Sequence, residues 1–193
     1  MHLAAYIVMA LAFAISNMIL FRRCAELTPI RLSRGLLLTL VVAVTQTIAL
    51  YWIGLIIGNM LRFELADNPN AFNTANALVF LGLDLFVLLR MLIPYLRREP
   101  RLPLFDLTNS NAFWALSFTA AINPLLVGLG AGFVAMQPDI HIIWYIVIVL
   151  LLWLFGYWGI MLGRQKVAVR PIRWMVIAAI LLLGVGIAAI VNA

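Results

Sequence analysis

Six apolar stretches, each near the ~20 residues a helix needs to cross a bilayer, divide the chain and leave little room for anything else. They lie near 3–21, 35–58, 77–96, 112–136, 142–163 and 174–191. The connections at Arg22–Arg34, Asn59–Asn76, Arg97–Asn111, Gln137–His141 and Arg164–Arg173 are too short to hold a soluble domain. Such a pattern implies one all-α, polytopic integral membrane domain over residues 1–193, because only helices satisfy their own backbone in lipid at this length. Charged residues make up 10% of the chain, against roughly 25% in soluble domains.

The basic residues set an expected orientation. Arg22, Arg23, Arg31 and Arg34 lie in the first connection, Arg97, Arg98 and Arg101 in the third, and Arg164, Lys166, Arg170 and Arg173 in the fifth. The second connection has only Arg62. The positive-inside rule puts the first, third and fifth connections in the cytoplasm and both termini outside, in a bacterial inner membrane. Tyr51-Trp52 and Trp144-Tyr145 then mark outer ends, and Tyr157-Trp158 and Trp174 inner ends. The net charge of +6 is accounted for by this asymmetry. A nucleic-acid partner is not expected, since no soluble basic face exists. The first stretch has no basic segment before its apolar core and reads as a retained helix rather than a signal peptide. Cys24, the single cysteine, cannot form an internal disulfide.

Two asparagines interrupt the apolar runs at comparable places: Asn17 in Ala-Ile-Ser-Asn and Asn123 in Ala-Ala-Ile-Asn-Pro. Tyr51-Trp52-Ile53-Gly54 continuing to Gly58 is echoed by Tyr157-Trp158-Gly159 continuing to Gly163. Three spans per half is an odd number. The halves, about 1–96 and 112–193, would therefore cross in opposite senses, as the inverted repeats of secondary transporters do.

Ala43, Thr47, Gly54 and Gly58 fall within a sector of about 60° on the second span, a seam for close helix packing. Gly159 with Gly163, and Gly184 with Gly186, read the same way. The fourth span has small residues on one face (Ala121, Pro124, Gly128, Gly132, Ala135) and Thr119, Asn123 and Gly130 on the other, which predicts a central position. Pro124 has no N–H for the Ala120 carbonyl. That carbonyl is left either to a solute or to a neighbouring helix. Thr45, Gln46 and Thr47 are three successive polar residues near mid-span, and at least one must face the interior. Asp84, the only acid well inside a span, is expected to be protonated, paired or in contact with water, and is a candidate for proton or cation coupling. Arg90, six positions on, projects from a different side of the helix and can snorkel towards the cytoplasm. No His/Cys cluster, activated nucleophile or phosphate loop is present, so neither an enzyme nor a cofactor is expected.

The stretch Ala120-Ala121-Ile122-Asn123-Pro124-Leu125-Leu126-Val127-Gly128-Leu129-Gly130 resembles the second-half motif of the bacterial manganese efflux pump family, within the LysE-type transporter superfamily. Ala14-Ile15-Ser16-Asn17-Met18 resembles its first-half motif. Weaker likeness covers Ala43-Val44-Thr45, Arg90-Met91 and Gly159–Arg164. The resemblance implies six spans, two inverted three-helix repeats and a small secondary exporter. The expected site takes Asn17, Thr45, Gln46 and Asn123 as ligands, with Pro124 breaking the helix beside them; the helix reading adds Thr119 and Asp84, the latter matching no acid of the family. Where the family has Asp, this chain has Asn at 17 and 123, and Thr45 or Gln46 stands for the acid of the second span. Mn²⁺ favours charged oxygen ligands. The expected cargo is therefore a small polar or zwitterionic solute rather than a bare dication. The alternative is a structural subunit of a larger membrane complex, with partner subunits or a second copy covering its helices.

Overall fold

The computed structural model of the chain describes residues 2–27, 31–64, 69–96, 109–134, 142–167 and 169–191. All elements among them are helical: α1 (His2–Leu27), α2 (Leu32–Thr47), a π-helical segment (Ile48–Gly54), α3 (Leu55–Glu64), α4 (Pro69–Leu96), α5 (Ser110–Phe133), α6 (Ile142–Arg164) and α7 (Pro171–Val191). Six spans are long and apolar enough to cross a membrane, with α2, the π segment and α3 forming one of them. The basic third connection (Arg97, Arg98, Arg101), Ala135 and His141 lie outside the described residues.

Local chemistry explains several helix ends. Pro69 and Pro171 occupy first helical positions, where a missing N–H costs nothing and the fixed φ suits the helix. Asn109 caps α5 by accepting a hydrogen bond from the Asn111 N–H at 2.9 Å. The second span runs further than the 35–58 expected, from Leu32 to Arg62, because the π segment passes the chain on without ending it.

α1 is the enclosed helix of the bundle. Residues on every side of it, from Tyr6 and Met9 through Ala12, Phe13, Ala14, Met18 and Phe21, are buried. Its small residues let neighbours close in all round. α5 packs on the second span through Gly128 and Gly132 and on α4 through Gly130, while Trp114, Phe118 and Ile122 stay exposed. Large exposed apolar side chains elsewhere, such as Phe86, Ile143 and Ile180, form the outward surface that lipid would solvate.

The main packed pairs between spans all join the first half of the chain to the second: α1 with α6 and α7, α5 with the π segment, α3, α4 and α2, α2 with α6, and α4 with α7. Glycines make the tightest of these approaches. A Cβ on Gly54 would lie 2.5 Å from the Leu125 carbonyl oxygen. On Gly58, Gly128, Gly159 and Gly163 it would overlap the carbonyl oxygens of Leu129, Leu50, Met18 and Arg22. Carbonyl oxygens thus fill the places of the missing side chains, the close-approach geometry that small-x-x-x-small spacing permits. Gly184 departs from its expected packing role, for a Cβ there would meet nothing within 4 Å, whereas Gly186 packs against Asp84 and Leu81.

The two ends of the bundle differ chemically. At one, Tyr51 lies between Tyr6 and Tyr145, with ring centroids 4.9 and 5.3 Å away, and Trp52 stacks on Tyr145 at 6.1 Å. At the other, the Arg22 guanidinium donates to the carbonyls of Val167 (2.9 Å) and Val169 (3.4 Å) and pairs with Glu26. One arginine at the end of α1 thereby ties down the turn between α6 and α7. That turn contains Lys166 at a φ of 51°.

Candidate functional site

The polar centre is built on α1, α2 and α5. Asn17 and Gln46 exchange both amide hydrogen bonds, Asn17 Nδ2 donating to Gln46 Oε1 at 2.6 Å and Gln46 Nε2 donating to Asn17 Oδ1 at 2.9 Å. The second hydrogen of Gln46 Nε2 goes to the Ala120 carbonyl at 3.1 Å. That is the carbonyl which Pro124 deprives of its helical partner. Of the two fates open to it from the sequence, the structure shows satisfaction by a neighbouring helix, and the neighbour is Gln46. Both amides are buried, at 2% and 3% exposure, so their mutual pairing removes most of the cost of holding them away from water.

A cavity of about 270 Å³ adjoins this centre. Its wall includes Asn17 and Ser16 of α1, Gln46 of α2, Thr119, Ala120 and Asn123 of α5, and Arg90, Pro94 and Tyr95 of α4. It thus reaches from the amides towards the end of α4, between α1 and α5, the first helices of the two halves.

The expected site residues separate into two groups. Asn17, Gln46, Thr119 and Asn123 come together at the cavity. Asn123 Oδ1 is buried with no hydrogen-bond partner among the described residues, while the Thr119 hydroxyl donates to the Ala115 carbonyl at 2.7 Å. Pro124 is buried behind them and acts through the Ala120 carbonyl. Thr45 and Asp84 do not line the cavity. The Thr45 hydroxyl donates to the Val42 carbonyl at 2.9 Å, because a position one residue from Gln46 is turned about 100° around the helix. Asp84 is 1% exposed and faces α7, with Oδ2 3.0 Å from where a Gly186 Cβ would sit. Neither of its carboxyl oxygens has a hydrogen-bond partner among the described residues.

Sequence reasoning assigned Arg90 to the cytoplasmic interface and did not place it, or Tyr95, in the site. The signal was present in Pro94, which leaves the Arg90 carbonyl without a helical donor as Pro124 does for Ala120. Both proline-freed carbonyls therefore belong to residues on the cavity wall. Among the described residues no three His, Cys, Asp or Glu side chains cluster as metal ligands.

The fold defines a multi-pass α-helical membrane protein. No protein-family model, curated protein or solved structure matches the chain.

Proposed function

We propose that this protein is a small secondary transporter, an exporter of the general kind that the manganese efflux family exemplifies, with altered substrate selectivity. The observation that carries the reading is the cavity reaching Asn17, Gln46 and Asn123 between α1 and α5. Polar groups and a proline-interrupted helix at that depth are how transporter sites are built. The two halves act as inverted repeats. In support, α1 packs on α6 and α7 as α5 packs on α3 and α4, and the Gly54/Gly58 seam on α5 mirrors the Gly159/Gly163 seam on α1. The basic end faces the cytoplasm of a bacterial inner membrane.

Among the described residues the cavity wall has no carboxylate. A hard dication entering it would meet uncharged amide, hydroxyl and carbonyl oxygens beside the Arg90 cation, with its charge uncompensated. The cargo is therefore a polar organic solute. A manganese-sensitive strain lacking its exporter tests this, transformed with the unmodified chain or with Asn17→Asp/Asn123→Asp. Rescue by the double variant alone is the expected result. Full rescue by the unmodified chain would sink the charge argument, and failure of both would count against the family-like transport path.

One observation favours a second reading, a structural subunit of a membrane complex: the Asn17–Gln46 pair is already closed on itself. Purification from native membranes separates the two readings, since stoichiometric partner subunits would accompany a scaffold.

A further inference from the structure

We propose that the cavity selects small organic anions carrying an O–H or N–H donor, with Arg90 as the specificity-determining residue. The inference rests on the transporter reading and names the solute class for that same site.

Among the described residues the wall has a single formal charge, the Arg90 guanidinium. No hydrogen bond or ion pair occupies that guanidinium among the described residues. Of the acids whose side chains are described, Glu26 pairs with Arg22 outside the cavity and Asp84 turns its carboxyl to α7. Tyr95, its other titratable neighbour on the wall, is neutral as a phenol. An unpaired cation in a membrane span, on the wall of a space with low-dielectric sides, concentrates anions there. Two acceptors on the wall are also short of a donor among the described residues. Asn123 Oδ1 is buried without a donor, and Pro94 leaves the Arg90 carbonyl without its helical N–H. A solute satisfying both features presents a negative group to the guanidinium and a donor to the oxygens. At about 270 Å³ the space lies below the roughly 300–1,000 Å³ of drug-sized sites, so the solute is small.

The test measures the cavity's charge preference directly. Cys24→Ala removes the native thiol, and Ser16→Cys or, as a second reporter, Leu20→Cys places one on the cavity wall. The purified, folded protein in detergent is treated with an anionic or a cationic methanethiosulfonate reagent. Each rate is divided by that of the same reagent with a free thiol in solution. The expected result is an anion preference of about tenfold or more. Arg90→Gln removes it and Arg90→Lys retains it. Reaction with both reagents and no preference, or a preference that Arg90→Gln leaves intact, overturns the anion assignment and leaves the transporter reading standing. Failure of both reagents to reach both reporters means that the cavity is closed to water, which overturns both readings.

Discussion

Asn17 and Gln46 join two helices that are consecutive in the chain yet share little other close packing. α1 spends its main contacts on α6 and α7, and α2 on α6 and α5. The amide pair is therefore a cross-tie within the first half, and Gln46 extends it through Ala120 into the second.

That geometry ranks two substitutions. Asn17→Leu leaves the Gln46 Oε1 without its donor, whereas Gln46→Leu strands both Asn17 and the Ala120 carbonyl. Each single change should cost about 1–3 kcal/mol, the glutamine more, and the double variant should be no worse than Gln46→Leu. Equilibrium unfolding in mixed detergent reads the cycle. Simple additivity would show that the amides are not energetically paired.

Pro124→Ala returns an N–H to the Ala120 carbonyl. In that background Gln46→Leu should cost about 1 kcal/mol less than in the native chain, since one of its stranded groups regains a donor. An unchanged cost would mean that the Gln46–Ala120 bond contributes nothing.

Glycine positions should divide sharply. Gly159→Ala and Gly128→Ala drive a methyl into the carbonyls of Met18 and Leu50 and should prevent recovery of folded protein. Gly82→Ala and Gly184→Ala project into open space and should be neutral or stabilising by up to about 1 kcal/mol through helix propensity. Thermal melting in detergent distinguishes them, and tolerance of Gly159→Ala would refute the tight α1–α6 seam.

Arg22→Gln releases the Val167 and Val169 carbonyls and should make trypsin cleavage at Arg164 and Lys166 several-fold faster. Cleavage in inside-out vesicles, and not in intact spheroplasts, is expected for a cytoplasmic basic end. The opposite sidedness would reverse the proposed orientation.

The six spans were legible because lipid imposes one pattern, length with apolarity, that a sequence displays directly. Asn17, Gln46 and Asn123 were legible for a related reason: a polar side chain among twenty apolar ones has few places to go. What could not be read was pairing. Pro124 marks Ala120 as needing a donor, but nothing local says that the donor arrives from residue 46. Thr45 and Gln46 differ by one step around the helix, and the π segment just beyond them alters the angle at which later residues emerge. Asp84 was recognisable as exceptional, yet only the packing of α7 shows that it points away from the amides. The small residues of α5 announced close packing on its faces, but not that Gly128 and Gly132 would meet the second span and Gly130 would meet α4.

The glycine seams bear on how the chain is made. Gly54 and Gly58 rest on Leu125 and Leu129, and Met18 and Arg22 rest on Gly159 and Gly163. A ribosome releases the first members of these seams long before their mates. Until α5 and α6 enter the bilayer, the early spans hold their notched surfaces against lipid, and no half-molecule can close its own core. Assembly is consequently long-range and late, committing only when the last spans arrive.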